Sequence, residues 1–436
     1  MRFTRDGLER TLVGAAVFLA HFPSWRHPDV FFTLSDLLFC LSLVTILLTR
    51  GLPRAPLGAL TPYWLAAFAL FVVPLIGSSL INGVPMRALI VVVQYLFSFI
   101  LLPFVIMGRD EDALIHLAKL FLTGFFIANL VGIIFYYTGF DGGFAYVSGA
   151  GGLSGFVGAP NGAAHMLALT CPLVVYLWLS GRLALYYVVP LLLVLAIALV
   201  LTSSNNGLAL TGLGLSAFLL MLRDLRYLGR ALAGLAVCLL LIFAWGSFWL
   251  PETFEQRVLG ALRSGSLDEA GTFQGRVALM REAVELIDDT MLVGLGVDQY
   301  RVLSRFGAPV HNTFLLIWTE GGLPALIGWL CLLAIFTIGA VLSAARRRLD
   351  GAVGFAVGLV FACIGFTTSH TYGRHLVVPV HLAMALALAS VAARGRDHPP
   401  RAAAPHPIPA QPALHPLPPP PPMKVDGPAW RNRFGS

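Results

Sequence analysis

Long apolar segments separated by short polar connections make up most of this chain. An α-helix needs about 20 predominantly apolar residues to cross the hydrocarbon core of a bilayer, and most of the segments approach that length. The pattern therefore predicts an all-α, polytopic membrane protein with about twelve transmembrane helices and a large loop between the ninth and the tenth. The predicted spans lie near residues 12–22, 31–49, 61–81, 88–107, 117–137, 163–180, 183–201, 206–222, 229–249, 323–343, 352–369 and 376–393.

The tenth span begins inside an apolar run that is too long for one helix. Residues 313–342 would extend over ~45 Å as a continuous helix, whereas the bilayer core is ~30 Å thick. The Gly321-Gly322 pair breaks a helix at little cost, and Pro324 suits the first turn of a new one. We expect a short helix at the membrane surface over residues 312–320 and a spanning helix over residues 323–343.

Arginine and lysine are concentrated in alternate connections, which predicts the orientation of the chain in the membrane. If the amino terminus is cytoplasmic, most basic residues of the short loops lie on the cytoplasmic side, and both termini are cytoplasmic. Two long loops, residues 138–162 and 251–311, then face the periplasm of a bacterial inner membrane. The formal net charge of +7 is explained by this topology, so we give nucleic acid little weight as a partner.

The second long loop contains one amphipathic segment. Val277, Met280, Val284 and Ile287 recur at helical spacing within residues 275–289. This spacing predicts that one or two helices of the loop cover the membrane core as a lid. The first long loop is rich in glycine and has too few charges to form a domain of its own, so we expect it to pack down on the helices.

Composition agrees with the hydropathy pattern and defines two regions. With 57% hydrophobic and 12% charged residues, the chain is typical of a helical membrane protein. We assign residues 1–394 to the transmembrane domain. Residues 395–436 are rich in proline and cannot bury enough apolar surface to fold, so we expect a flexible cytoplasmic tail.

No pattern of metal ligands or redox cysteines is present in the sequence. The five cysteines all fall inside apolar runs without close pairs. His370 and His375 flank Arg374, but no carboxylate or third ligand lies near them in sequence. We therefore expect neither a metal nor a cofactor.

The predicted topology limits the chemistry of a site on the outer face. A transferase in the periplasm has no nucleotide sugars, so its donor must already be anchored in the membrane, for example a glycan on a polyprenyl pyrophosphate. Such a reaction needs a base for the acceptor hydroxyl, cations for the departing pyrophosphate and a groove for the lipid.

Several short segments of the chain are motifs that bear on its function. They are His311-Asn312 with Leu315, Glu320-Gly321-Gly322, Gly275-Arg276, VGLGVDQY at 293–300, TLSD at 33–36 and GFVGAPNGAA at 155–164. Together they resemble the O-antigen ligase superfamily, which includes lipopolysaccharide O-antigen ligases, polysaccharide polymerases and protein O-oligosaccharyltransferases. The resemblance covers most of residues 30–390.

The resemblance implies a metal-independent, inverting glycosyltransferase that acts at the periplasmic face. It implies that His311 is the catalytic residue and that Arg276 binds the pyrophosphate of the donor. Family members commonly have Ser-Arg-Gly where this chain has 203–207, SSNNG, and an arginine before the GFVGAPN segment where residues 149–154 have no charge. The outward-facing arginines available as substitutes are Arg87, Arg257, Arg305 and Arg374.

Further candidates for substrate binding come from the same outer surface. Arg374 either closes the site or anchors the chain at the interface. Glu320 either orients His311 or the acceptor, or has a capping or structural role around Gly321. Nine residues of ideal helix place it about half a turn around the helix axis from His311, so we do not expect the two side chains to pair directly. Asn161 and Asn206 lie at helix starts, where asparagine is a good N-cap, so capping is the first expectation for both and substrate binding is the alternative. Asp36 lies near the membrane core, where a polar group tends to be functional or paired.

The sequence thus predicts a glycosyltransferase that moves a glycan from undecaprenyl pyrophosphate to an acceptor hydroxyl, with membrane lipids around it. The first expectation is an O-antigen ligase with lipid A-core as acceptor, and the alternative is a polysaccharide polymerase with a growing glycan as acceptor. The rival from another class is a transporter of lipid-linked sugars, which predicts charges near the bilayer midplane and an internal repeat. A membrane anchor for the tail is a further rival and leaves His311 and Arg276 unexplained.

Overall fold

A computed structural model of the chain describes residues 5–24, 32–49, 51–140, 146–223, 250–260 and 273–397, with isolated positions at 226, 229, 263, 421 and 422. The chain divides into two compact units, Met1–Ala393 and Arg394–Ser436. The first unit contains every element described below except residues 394–397 of the last helix. The predicted span at 229–249 and nearly all of the predicted tail lie outside the described residues.

The described residues are mainly helical. In chain order the helices are α1 (Arg5–Leu19), α2 (Leu34–Thr49), α3 (Thr61–Ile81), α4 (Pro85–Leu96), α5 (Leu102–Ile106), α6 (Glu111–Thr138), α7 (Pro160–Leu179), α8 (Leu185–Thr202), α9 (Asn205–Leu222), α10 (Glu252–Phe254), α11 (Phe273–Asp289), α12 (Gln299–Leu303), α13 (Thr313–Ala344), α14 (Arg348–Ile364) and α15 (Arg374–Asp397).

Seven of the described helical segments are long and apolar enough to cross a membrane: Gly58–Ile81, Pro85–Ile106, Glu111–Thr138, Pro160–Leu179, Leu185–Thr202, Asn205–Leu222 and Thr313–Ala344. Each coincides with a span predicted from the sequence. The predicted spans at 12–22, 31–49, 352–369 and 376–393 correspond to α1, α2, α14 and α15, and α2 and Arg374–Ala389 of α15 are shorter apolar helices. The chain is therefore all-α over its described part, and the count of twelve spans stays a prediction.

The loop before α7 packs onto the helices, as expected from its glycine-rich sequence. Val147 and Leu153 form an isolated antiparallel bridge, and the backbone N–H of Leu153 donates to the carbonyl of Leu201 at 2.8 Å. Tyr146 and Phe156 are buried against the neighbouring helices. This segment brings the start of α7 close to the end of α8.

Two glycines, Gly328 and Gly207, allow pairs of helices to pack with their backbones close together. A Cβ on Gly328 would lie 2.3 Å from the backbone nitrogen of Phe71, so α13 packs directly on α3. A Cβ on Gly207 would lie 2.3 Å from the Cβ of Ala164, so the start of α9 packs directly on α7. Small residues at such contacts are typical of helix packing in membranes, where close van der Waals contact replaces the hydrophobic effect.

The predicted break in the long apolar run is confirmed. Gly322 has φ 76° and ψ 178°, a non-helical conformation that divides α13 into two parts. The loop before α12 satisfies backbone groups at this kink. Leu295 and Gly296 donate their N–H groups to the carbonyls of Thr319 and Glu320, each at 2.9 Å, so the break is held by hydrogen bonds.

A short π-helical segment, Phe97–Leu101, connects α4 to α5. Wide turns of this kind release backbone groups from the regular helical pattern and occur often at functional sites. Here the hydroxyl of Ser98 donates to the carbonyl of Tyr372 at 2.8 Å, and the carbonyl of Ser98 lies 2.7 Å from Nε2 of His381. These contacts hold α15, whose first residue is Arg374, against this π-helical segment.

Candidate functional site

A cavity of ≈ 590 Å³ lies between the starts of α2, α7 and α15, the loop after α1 and the lid helix α11. Its wall is partly apolar and partly polar. The apolar part includes Leu19, Val157 and Leu376. The polar part consists mainly of histidine, arginine and amide side chains: His311, Arg276, Arg374, His165, His370, His375, Asn161 and Asp36.

His311 lies directly before α13, and the next two residues hold it in place. The side chain of Asn312 caps α13 by accepting hydrogen bonds from the backbone N–H groups of Phe314 and Leu315 at 3.0 and 3.1 Å. Thr313 donates its N–H to the carbonyl of Gly365 and its hydroxyl to the carbonyl of Thr368, both at 2.7 Å. The imidazole of His311 is therefore placed at the cavity by a rigid helix start.

Arg276 lies in the first turn of α11, whose predicted amphipathic helix is confirmed at Phe273–Asp289. Leu279 and Ala283 on this helix pack with Tyr300, Val310 and Leu316 in a small apolar cluster. Because Val310 immediately precedes His311, one cluster connects the helix of Arg276 to the segment of His311.

Glu282 attaches the lid helix to the chain that follows α12. Its buried carboxylate accepts a hydrogen bond from the hydroxyl of Ser304 at 2.6 Å and one from the backbone N–H of Arg305 at 2.8 Å. Burial of this carboxylate opposes ionisation, but the hydrogen bonds outweigh it and lower the pKa of Glu282 from its usual value. The lid is therefore held by an ionised side chain at neutral pH.

His311 and Arg276 affect each other electrostatically across the cavity. Half-burial lowers the pKa of His311 from its ordinary value, and the positive charge of Arg276 lowers it further. Burial likewise lowers the pKa of Arg276, which remains far above neutrality. At neutral pH this arrangement provides an uncharged imidazole able to accept a proton beside a permanent cation.

Arg374 is the second arginine of the cavity, and three side chains hold it. Its Nε donates to Oδ1 of the buried Asp36 at 2.7 Å, and its Nη1 donates to Oε1 of Gln94 at 2.6 Å. Its guanidinium lies 4.5 Å from the ring centroid of Phe97. Asp36 in turn accepts a hydrogen bond from the backbone N–H of Thr33 at 2.9 Å, so α2, α4 and α15 meet at this guanidinium.

His165 was not among the residues selected from the sequence, yet it lines the cavity and is 2% exposed. Nδ2 of Asn206 lies 2.7 Å from Nε2 of His165 and 2.8 Å from the hydroxyl of Thr367. Asn206 itself does not line the cavity but stands behind these two residues. The sequence offered one indication of its role. His165 follows Asn161 by four positions in a predicted helix, so the two side chains are expected on the same face.

The capping roles expected for Asn161 and Asn206 are wrong. The N-cap of α7 is Ala159, with Pro160 in the first turn, and the N-cap of α9 is Ser204, whose side chain accepts from the N–H of Gly207. Both asparagines lie two positions after the N-cap, inside their helices, and so cannot act as caps. Their side chains instead make hydrogen bonds between α7, α9 and the loop after α14.

Two other residues selected from the sequence lie apart from the cavity. Arg87, at the start of α4, forms an ion pair with Asp298. Glu320 is buried in α13, and its backbone carbonyl accepts hydrogen bonds from the hydroxyl of Ser78 and the N–H of Gly296. The structure therefore groups Glu320 with the helix kink and Arg87 with the loop before α12. Within the described part of the chain, no group of three or more histidine, cysteine, aspartate or glutamate residues is arranged to hold a metal ion.

A family model described as O-antigen ligase matches residues 190–330 of the chain. The matched range includes α9, the lid helix with Arg276, His311 and the kink of α13, whereas Asp36, His165 and Arg374 lie outside it. The match supports membership of the O-antigen ligase superfamily and an O-antigen ligase or polymerase type of membrane enzyme. No curated protein matches the chain.

Proposed function

We propose that this chain is a glycosyltransferase that moves a glycan from undecaprenyl pyrophosphate to an acceptor hydroxyl at the periplasmic face of the inner membrane. The observation that carries the proposal is that His311 and Arg276, which are 35 positions apart in the sequence, line one cavity. The apolar wall of that cavity offers a surface for the polyprenyl chain, and its polar wall offers groups for a glycosyl diphosphate.

In the proposed reaction His311 acts as the general base. The neutral imidazole removes the proton of the acceptor hydroxyl as its oxygen attacks the anomeric carbon of the donor. The bond between that carbon and the diphosphate oxygen breaks, and the electron pair leaves with the diphosphate. Attack from the side opposite the leaving group inverts the anomeric configuration.

The cations of the cavity stabilise the leaving group. In this proposal Arg276 contacts the diphosphate from α11, and Arg374 contacts it from the start of α15, where Asp36 neutralises part of its charge. A fixed cation beside developing negative charge is a strong contribution in a site with little water. No metal ion takes part in this proposal.

The test compares the wild-type protein in detergent with His311→Ala, using a polyprenyl-pyrophosphate glycan as donor and candidate acceptors, with and without EDTA. We expect wild-type transfer that resists chelation and a rate lower by about 10²–10⁴-fold in the variant, which is the usual contribution of a general base. Retained activity in His311→Ala would remove His311 from the mechanism.

The identity of the acceptor distinguishes an O-antigen ligase from a polysaccharide polymerase. Transfer to lipid A-core indicates a ligase, which is the first proposal. Extension of a lipid-linked glycan indicates a polymerase, which needs the same leaving-group chemistry. In cells, loss of long chains on lipid A with the polymer still present on its carrier supports the ligase, and accumulation of single repeat units supports the polymerase.

A further inference from the structure

Asn161 and His165 form one polar stripe on α7 that faces the cavity. They are four residues apart and therefore project from the same side of the helix, and both line the cavity. The start of α9 lies against this stripe, because Gly207 packs on Ala164 between the two residues. The N-cap residue of α9, Ser204, and Asn206 within α9 form hydrogen bonds with Asn161 and His165 of this stripe.

The hydrogen bonds behind His165 determine which ring nitrogen holds the proton. The hydroxyl of Thr367 donates to the carbonyl of Ile364 at 3.1 Å, so it must accept the bond from Asn206. This requirement directs the amide nitrogen of Asn206, and not its oxygen, towards Thr367 and towards Nε2 of His165. Nε2 therefore accepts, and the proton of the neutral ring is on Nδ1.

The same logic applies to Asn161. The hydroxyl of Ser204 accepts from the N–H of Gly207 and donates to Oδ1 of Asn161 at 2.7 Å. The amide oxygen of Asn161 is thus engaged with α9. Among the described residues, neither Nδ2 of Asn161 nor Nδ1 of His165 has a hydrogen-bond acceptor.

Two N–H donors on one helix face match a ligand that only accepts hydrogen bonds. Phosphate oxygens accept and do not donate, whereas sugar hydroxyls do both. The cavity already contains the cations of Arg276 and Arg374, which favour the same kind of group.

We propose that Asn161 and His165 bind the phosphate oxygens of the polyprenyl diphosphate as a pair of uncharged donors, with Ser204 and Asn206 as positioning residues. This inference rests on the proposed function and assigns a role to His165. Uncharged donors add hydrogen bonds to the diphosphate without adding positive charge from which the anionic product must dissociate.

The test is the binding of farnesyl diphosphate and of farnesyl monophosphate to the purified full-length protein in detergent, which requires no glycan transfer. We expect the wild type to prefer the diphosphate. His165→Leu weakens diphosphate binding by about tenfold to 100-fold, the usual effect of losing a hydrogen bond to a charged group. His165→Asn stays within about threefold of wild type, because its amide nitrogen lies near the position of Nδ1.

Asn206→Asp tests whether Asn206 orients the imidazole ring of His165 or only packs against it. A carboxylate can only accept hydrogen bonds, so the aspartate favours the neutral tautomer with its proton on Nε2, and Nδ1 can then no longer donate. We expect this near-isosteric change to weaken diphosphate binding in the wild-type background and to have much less effect in the His165→Asn background, where there is no ring to reorient. An equal effect in both backgrounds would indicate only repulsion by the new charge and would overturn the inference.

Two further outcomes are decisive. Thr170→Val removes another buried polar group of α7, one that bonds only to the carbonyl of Met166, and should leave binding unchanged. If His165→Asn binds the diphosphate as weakly as His165→Leu, the inference fails while the proposed function stands. If the wild type shows no preference for the diphosphate, the proposed donor class fails, and the inference fails with it.

Discussion

Arg276 and Arg374 face the same cavity, but the protein holds them in different ways. Arg374 is 9% exposed and has an ion pair with Asp36, a hydrogen bond to Gln94 and a contact with the ring of Phe97. Arg276 is half-buried on the lid helix, and within the described residues it has no hydrogen bond or ion pair.

The difference indicates that the two arginines have different roles in the site. The charge of Arg374 is compensated inside the protein, so this residue contributes to the structure of the site as well as to its electrostatics. The charge of Arg276 has no compensating partner among the described residues and is available to a ligand. Substitutions should therefore separate an effect on folding from an effect on the reaction.

The largest effect should come from Asp36→Ala, which leaves the guanidinium of Arg374 buried without its carboxylate. We expect the free energy of unfolding to fall by ~3–5 kcal/mol, because an unpaired buried charge is costly. Removing both partners, as in Asp36→Leu with Arg374→Met, should cost less than Asp36→Ala alone. Denaturant unfolding in detergent measures the free energy of unfolding of the single and the double variant. An unchanged stability in Asp36→Ala would show that the pair of Asp36 and Arg374 does not stabilise the fold.

Arg276→Gln, unlike Asp36→Ala, should lower the rate of transfer and leave the stability of the protein nearly unchanged. We expect kcat/KM for glycan transfer to fall by about tenfold to 100-fold, since a charged hydrogen bond contributes ~1.5–3 kcal/mol. Stability should stay within ~0.5 kcal/mol of wild type, as for most surface substitutions. Steady-state kinetics together with the same unfolding assay provide the check, and a loss of stability equal to that of Asp36→Ala would remove the contrast between the two arginines.

Arg87→Gln tests an arginine outside the cavity. The ion pair with Asp298 is partly exposed, with 47% exposure of the arginine side chain. Exposed pairs contribute ~0–1 kcal/mol, so we expect a stability change in that range and transfer close to the wild-type rate. A large loss of transfer would instead support the substrate-binding role that the sequence suggested for Arg87.

The smallest effect should be on pH dependence. A general base acts when neutral, that is, above its pKa, and burial followed by the charge of Arg276 lowers the pKa of His311. Arg276→Gln removes the second cause, so the pKa of His311 rises and the acid limb of the pH–rate profile moves to higher pH. Arg276→Lys keeps the charge and serves as the control. The remaining titratable groups of the cavity are the same in all three proteins: Asp36, His165, His370, Tyr372, His375 and Arg374.

Local features of the fold followed from the sequence because local physics determines them. The lengths of apolar runs predicted the helices that cross the membrane, and two adjacent glycines predicted the kink at Gly322. The amphipathic spacing predicted the lid helix, and the resemblance selected His311 and Arg276 before any geometry was known. The same local reasoning failed for Asn161 and Asn206, because a cap is decided by one position and Pro160 and Ser204 set the helix starts.

The sequence by itself determined that this chain is a helical membrane protein with a broken apolar helix and an amphipathic helix in the loop before His311. Only the tertiary structure decided which polar residues share the cavity. Asp36 and Arg374 are 338 positions apart, and Gln94 and Arg374 are 280 apart, so no periodicity relates them. A buried charge must find a partner wherever the packing of helices brings one, and this packing depends on the whole set of contacts between them.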